Sequence, residues 1–283
     1  MKLQFLVSAV NEDVMTLAER MNLQADAIIV NQCGCNVYQE YEYKASWREQ
    51  VCRIQCYSFA ERGVGLSRNN CLMRADHEIC VFADEDIIYC PGAAEAIEEE
   101  FEKHPEADMI LFNMDVPADR ATYHIGEYGR VHWYNCGRYP TYSFAARTEK
   151  LRQANVAFSL LFGGGARYSN GEDSLFLSDC LKKGLKVYKT PVTIGRENGR
   201  PSTWFRGYNE KFFYDRGVLY RFLYKKLALL MAVRFVLKLR GTAFAAEAET
   251  TAAGAMDGSG RCLTMKKAFE LMRKGIRMED GVV

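Results

Sequence analysis

Three acids in a row, Asp84-Glu85-Asp86, follow directly on the apolar run Ile79–Ala83. Adjacent carboxylates repel, so the triplet costs stability unless a cation or hydrogen bonds compensate. Oxygen-only ligands of this kind suit Mg²⁺ or Mn²⁺, which bind through one or two carboxylates plus substrate phosphates. The bland alternative is a solvated acidic turn, and the buried run before the triplet argues against it. A second acidic pair, Glu172-Asp173, follows Asn170-Gly171 at the start of a helical pattern. There a carboxylate either offsets the helix dipole or serves as a general base. Arg62 and Arg68 flank the opening of another helix, where a diphosphate would meet both guanidinium groups and backbone N–H groups.

The elements that must carry these residues are legible from apolar runs. Leu3–Val10, Ala27–Val30, Cys52–Phe59, Ile79–Ala83 and Met109–Phe112 read as strands. Helical spacing follows the first of them (Val14, Leu17, Ala18, Met21), with Asn11 expected as its cap and Glu12 and Asp13 in its first turn. A helix is expected from about Glu61 to Ala75, and another between Pro91 and His104. No clear period runs from Tyr38 to Glu49. Alternation of strand and helix over the first 115 residues means a parallel sheet covered by helices. Ligands bind beyond the carboxyl ends of such strands. Ala9, Asn11, Asn31 and Asp84–Asp86 should therefore converge on one edge.

The later part is less regular. Residues 117–144 resist assignment, and Gly163-Gly164-Gly165 reads as a hinge or a close-approach loop. A helix from about Glu172 to Lys183 and a short strand, Leu185–Thr190 stopped by Pro191, come next. From Arg206 to Arg240 nine basic residues face only Glu210 and Asp215, amid many Phe, Tyr and Leu. The bases scatter around a helical wheel, so two short helices with a bend, or packing on the rest of the chain, are expected rather than one straight amphipathic helix. Charges are too frequent there for a membrane span. Residues 241–262 read as a linker, and 263–283 as an amphipathic tail helix.

Composition bounds the function. With 37 basic and 36 acidic side chains there is no global field, so nucleic acid is not an expected partner. Ten cysteines without a second C-x-x-C partner for any close pair argue against structural zinc and for a reducing compartment. Cys71, Cys80 and Cys90 read as small core side chains. Leu3–Val10 is expected to be a buried strand rather than a signal sequence. The sequence contains no P-loop, G-x-S-x-G elbow or zinc-spaced histidine pair.

Four stretches in order, Val7-Ser8-Ala9-Val10-Asn11, Gly65-Leu66-Ser67-Arg68-Asn69, Phe82-Ala83-Asp84-Glu85-Asp86 and Gly171-Glu172-Asp173, resemble the family-2 glycosyltransferases of the GT-A fold over roughly residues 3–210. The resemblance implies an α/β fold: a mixed, mostly parallel Rossmann-like sheet flanked by helices, with a C-terminal helical extension. It implies a catalytic domain over 1–205, with a nucleotide-binding half (about 1–115) and an acceptor half (about 116–205). By the same resemblance Ala9, Asn11, Arg68, Asp84 and Glu85 bind nucleotide, with Asn31 and Arg62 added by their place at a strand end and a helix start, and Asp86 with Asp84 holds Mn²⁺ or Mg²⁺. Asp173, with Glu172, supplies the base. The expected partners are a nucleotide-sugar donor, UDP-linked, and a glycan or lipid-linked acceptor. A membrane surface meeting 206–240 and a second copy of the chain complete the set, with the protein cytoplasmic and peripheral on the inner face of the membrane. Two departures stand out. The second strand ends Asn31-Gln32-Cys33 where many members carry aspartates, and Ser202-Thr203-Trp204 is all that remains of the processive Gln-x-x-Arg-Trp motif. Single-sugar transfer is therefore expected. The competing readings are a nucleotidyltransferase, which would want a glycine-rich basic loop in place of Ala9–Glu12, and a non-catalytic sugar- or polymer-binding module.

Overall fold

A computed structural model describes residues 2–45, 51–117, 121–199, 207–241, 244 and 262–278. The expected Ser202–Trp204 remnant and nearly all of the expected linker lie outside the described residues.

In chain order the elements are β1 (Leu3–Val10), α1 (Val14–Arg20), β2 (Asp26–Gln32), β3 (Val37–Lys44), β4 (Val51–Phe59), α2 (Val64–Arg74), β5 (Ile79–Asp84), β6 (Ile87–Tyr89), α3 (Ala93–Lys103), β7 (Met109–Asp115), β8 (Gly129–Arg130), β9 (Phe144–Arg147), α4 (Thr148–Ala154), α5 (Glu172–Lys182) and β10 (Val187–Glu197). Three helices follow: α6 (Glu210–Tyr224), α7 (Ala228–Lys238) and α8 (Met265–Arg277). The strands form one sheet in the order β3-β4-β2-β1-β5-β9-β7-β10-β6, with β8 beside β10. Strands β4, β2, β1 and β5 run parallel, and so do β7 and β10. Strands β3, β9, β6 and β8 are the antiparallel members. The sheet is thus the mixed, mostly parallel one expected.

Side-chain alternation splits each central strand between two cores. Phe5, Val7 and Ala9 of β1 and Ile79, Val81 and Ala83 of β5 enter one. Leu6, Cys80 and Phe82 enter the other, with Cys71 of α2. Burial on both faces is why these strands read as apolar runs rather than as alternating ones. Cys71 and Cys80 are fully buried as expected, whereas Cys90 is only half-buried.

Three expectations are corrected. Asp13, not Asn11, caps α1: its Oδ1 accepts from the Met15 N–H at 3.1 Å. Asn11 instead takes a left-handed φ of 53°, a conformation asparagine tolerates, and its N–H reaches the Gln32 carbonyl at 3.1 Å. The residues read as aperiodic from Tyr38 onward form edge strand β3, most of it exposed on both faces. Strand β10 runs through Pro191 to Glu197, because the proline falls where the register with β7 shifts, between Lys189 and Thr193. A proline at such an irregularity removes no ladder hydrogen bond.

The chain divides into two compact units, 1–160 with 172–201, and 161–171 with 202–283. The whole sheet belongs to the first. In the second, α6 and α8 approach at Gly217 and Gly275, where a Cβ would run into the Met272 and Tyr214 carbonyls respectively. The chain breaks between α6 and α7 at Lys225, whose φ is 47°, which gives the two helices and bend expected of this segment. Gly163 and Gly165 both take positive φ, 102° and 77°. Among the described residues no helix is long and apolar enough to cross a membrane.

Candidate active site

The parallel strands β2, β1 and β5 end side by side, with Ala9 opposite Asn31 and Ser8 opposite Asp84. Asp84 is the last residue of β5, and Glu85 and Asp86 make the turn into β6. The backbone carbonyl of Asp86 accepts from the Asn198 N–H at 2.8 Å. The triplet therefore stands at the ligand edge of the sheet, as expected.

Helix α2 brings Arg68 to this edge, and each residue of its Gly65–Asn69 motif has a local reason. A Cβ on Gly65 would run into the Ser159 carbonyl, so only glycine allows that approach. The Ser67 hydroxyl donates to the Val30 carbonyl at 3.2 Å and lies 2.9 Å from the Ser8 hydroxyl, which pins α2 to β1 and β2. Asn69 clamps the backbone of Phe158 in both directions, at 2.9 and 2.7 Å. Phe158 stacks at 4.0 Å on Phe176 of α5, and the Arg68 guanidinium lies 5.5 Å from the centre of its ring. Arg68 is 5% exposed, which leaves it few ways to stay charged without partners.

Those partners are the other two motifs. Arg68 Nη2 donates to both oxygens of Asp84, at 2.8 and 3.1 Å, and Nη1 donates to Glu172 Oε1 at 3.0 Å. Burial alone would lower the guanidinium, but Asp84 and Glu172 outweigh it, and Asp173 adds to them, so its pKa is raised further. Arg68 Nε is buried without a hydrogen-bond partner. The adjacent Asp173 is half-buried, and its Oδ1 accepts from the Ser174 N–H at 2.6 Å. Burial pushes Glu85 up to about 8, helped by the neighbouring charges of Asp84 and Asp86.

The residues at the end of β2 act as braces. Asn31 uses its whole amide on Glu12, accepting from its N–H at 3.1 Å and donating to its carbonyl at 2.9 Å. Gln32 does the same for Gly63 at the start of α2, at 3.2 and 2.9 Å. Asn31 is buried and so holds the loop after β1 in shape. Ala9 is buried, Asn11 exposed, and both stand on that edge. Arg62 is exposed ahead of α2, and among the described residues it makes no ion pair with the acids. Ser67, Asn69, Gln32 and Phe158 were not anticipated from sequence. For the first three the one available signal was their place in or beside a stretch already chosen, and Phe158 carried none.

A divalent cation fits this donor set in one form. Both oxygens of Asp84 face Arg68, and Asp86 follows two residues on in the same turn. Among the described residues no three His, Cys, Asp or Glu side chains gather into a cage. A site with one carboxylate, completed by phosphate oxygens and water, is the kind Mg²⁺ accepts.

No protein-family model matches the sequence, and no curated protein is similar enough in sequence to count as a match. Solved structures do match in shape. S. aureus TarS 1–349 in complex with UDP-GlcNAc superposes with a TM-score of 0.57 at 14% identity, over 85% of this chain and 73% of that one. The longer S. aureus TarS structure gives 0.54 at 15% identity, and this chain spans 44% of its length. Glucosyl-3-phosphoglycerate synthase from Mycobacterium tuberculosis, in complex with Mn²⁺, UDP and phosphoglyceric acid, gives 0.45 at 15% identity. The TarS superpositions and the strand order agree on one architecture: the chain has the GT-A fold.

Proposed function

We propose that the protein is an inverting glycosyltransferase that moves one sugar from a nucleotide-sugar donor to a hydroxyl acceptor. The observation that carries the reading is the single buried guanidinium of Arg68, which gathers Asp84 and Glu172 at the ligand edge of the sheet. The UDP-GlcNAc and UDP held by S. aureus TarS, of the same fold, favour a UDP-sugar as donor.

In this reading Ala9, Asn11, Asp84 and Glu85 line the nucleotide, while Asn31 and Arg68 shape the edge on which it lies. Glu85 stands beside Asp84 in the turn that faces the ribose in this reading. Arg62, exposed ahead of α2, is the residue this reading assigns to phosphate. Asp173 takes the proton of the acceptor hydroxyl as its oxygen attacks the anomeric carbon. Glu172, fixed by Arg68, sets the start of α5 and hence the position of Asp173. One displacement through an oxocarbenium-like transition state inverts the configuration, so no second carboxylate nucleophile is required. Asp86 would hold Mn²⁺ or Mg²⁺, which when bound offsets the negative charge of the leaving diphosphate.

The test is thermal shift with a panel of nucleotide sugars, with and without Mn²⁺, on wild type and Asp86→Ala. Stabilisation by one donor, greater with Mn²⁺ and lost in the variant, is the expected result; at a hundredfold excess over Kd it amounts to about 2.7 kcal/mol. A wild type that no donor shifts sinks the reading in favour of the non-catalytic module.

Acceptors in cell-surface glycan synthesis lie at membranes, and α7 offers a surface for one. Leu227, Leu230, Val233 and Leu237 are all exposed on or beside it, at 49, 65, 40 and 57%. Lys225, Lys226, Arg234, Lys238 and Arg240 flank them, with no acid between Asp215 and Glu247. An apolar stripe with bases on either side along the chain suits the anionic inner leaflet, and like charges disfavour pairing of this face with its own copy. Vesicles of phosphatidylcholine with a third phosphatidylserine should sediment the wild type. They should release it when Leu230, Val233 and Leu237 become serine, or when the salt is raised. Equal sedimentation of wild type and triple variant would remove the membrane from the account.

A further inference from the structure

The turn between β2 and β3 carries two thiols that face each other. Cys33 and Cys35 flank Gly34, and their sulfurs lie 3.5 Å apart, with Cys35 exposed and Cys33 half-buried. Gly34 has open space around it, with nothing within 4 Å of where a Cβ would stand. The backbone on either side is fixed. The Cys33 N–H donates to the Phe59 carbonyl of β4 at 2.9 Å, and Asn36 Oδ1 accepts from the Ala60 N–H at 2.9 Å. The other close pair, Cys52 and Cys56, is buried, which pushes its thiols up to about 11 and about 12. A hydrogen bond from the Cys35 backbone instead holds the Cys33 thiol below the ordinary range, while Cys35, bonded to Cys33, is raised. One sulfur is thus the readier nucleophile and the other stands beside it. Among the described residues no third His, Cys, Asp or Glu side chain joins them in a metal cage.

The position of the turn gives the pair a consequence. Val10 at the end of β1 stands opposite Gln32, so the thiols begin one residue past the carboxyl end of β2, on the edge that carries Ala9, Asn31 and Asp84. The peptide joining Gln32 to Cys33 is itself part of that edge. Its carbonyl accepts from the Asn11 N–H at 3.1 Å. The Gln32 side chain meanwhile braces Gly63 at the start of α2, at 3.2 and 2.9 Å. A pull on Cys33 therefore reaches Asn11 through a single peptide.

We propose that Cys33 and Cys35 are a reversible dithiol–disulfide couple with glutathione disulfide as oxidant, and that closing the disulfide weakens donor binding. The Cys33 thiolate attacks one sulfur of glutathione disulfide, and the leaving glutathione thiolate takes up the proton that Cys33 gave up. The Cys35 thiolate then attacks Cys33 Sγ in the mixed disulfide, forms the Cys33–Cys35 bond and expels the second glutathione. Two electrons pass from the pair to the oxidant, and excess dithiol runs the exchange backwards. Bond formation brings the sulfurs from 3.5 Å to about 2.05 Å, which draws Cys33 towards Cys35 and turns the peptide that holds Asn11. The couple stands on the geometry of the turn. Its effect on a donor rests on the glycosyl-transfer reading, in which Asn11 lines the nucleotide.

The test equilibrates the full chain in glutathione buffers of stepped oxidised-to-reduced ratio. Samples are quenched in acid, alkylated and digested for mass spectrometry, and donor thermal shift is measured on the same samples. The peptide holding Cys33 and Cys35 should escape alkylation and be lighter by the hydrogens lost, in a fraction that rises with the ratio and vanishes in dithiothreitol. Cys35→Ser should stop at the glutathione adduct of Cys33. Oxidised wild type should show a smaller donor shift than reduced wild type at equal donor concentration, whereas Cys33→Ser/Cys35→Ser, treated alike, should keep the whole shift. A wild-type peptide that stays reduced, or stops at the adduct as Cys35→Ser does, overturns the couple. A disulfide that forms and leaves the donor shift unchanged overturns its effect on the site. A disulfide that forms with no donor shift in any sample supports the couple and overturns glycosyl transfer.

Discussion

Replacing Arg68 by methionine should lower stability by about 3 kcal/mol, or about 6–12 °C in Tm, more than most single substitutions outside the apolar core. Asp84 and Glu172 side chains are 26% and 14% exposed, so without the guanidinium they keep their charges in a poorly hydrated place. Removing one partner of a buried ion pair is costly for this reason, whereas removing all of the charges is often close to neutral. Arg68→Met/Asp84→Asn/Glu172→Gln should therefore recover most of the loss, although it carries three substitutions instead of one. Arg68→Lys should fall between, because a single ammonium lacks the fork that reaches two carboxylates from opposite ends. Chemical denaturation of the four proteins measures the effect. A triple variant no more stable than Arg68→Met would show that the three motifs are not joined through Arg68.

That coupling was not legible in the chain, although its members were. Arg68 lies 16 positions from Asp84 and 104 from Glu172, and no local pattern states that they meet. What sequence does carry is the edge on which they gather. Strands β1, β2 and β5 bury both faces, so each appears as an apolar run, and parallel strands put their carboxyl ends together. Strand β3 escaped because an exposed edge strand has no apolar period to show. The cap of α1 was misplaced because Asn11 and Asp13 are both good caps, and only the contact between Asn31 and Glu12 decides between them. Asn31 and Gln32 stood out in sequence as a departure from aspartates. Their amides offer donor and acceptor together, and each uses both on a neighbouring backbone segment, which two carboxylates cannot do. Strand β10 was cut short at Pro191 because a bulge is invisible until its partner strand is known.

Asp173→Asn should leave donor binding intact and reduce turnover about 10²- to 10⁴-fold, the usual contribution of a positioned base. The two acids at the start of α5 separate the roles cleanly. Glu172 is bound to Arg68 at 3.0 Å, so Glu172→Gln weakens an ion pair and should act mainly through stability. The carboxylate of Asp173 has one oxygen 2.6 Å from the Ser174 N–H, a bond an amide oxygen reproduces, and chemical denaturation of Asp173→Asn separates a loss of stability from a loss of turnover. What the amide lacks is the capacity to take a proton from the attacking hydroxyl. Sugar transfer from the donor that the thermal-shift panel identifies measures this, with the released nucleoside diphosphate as readout. In Asp173→Ala, which leaves space at the same point, added formate should restore part of the turnover, whereas it should do nothing for Asp173→Asn. Turnover within tenfold of wild type in Asp173→Asn, with donor binding unchanged, would mean that the acceptor proton leaves by another route and that the α5 carboxylates are there for the helix and for Arg68.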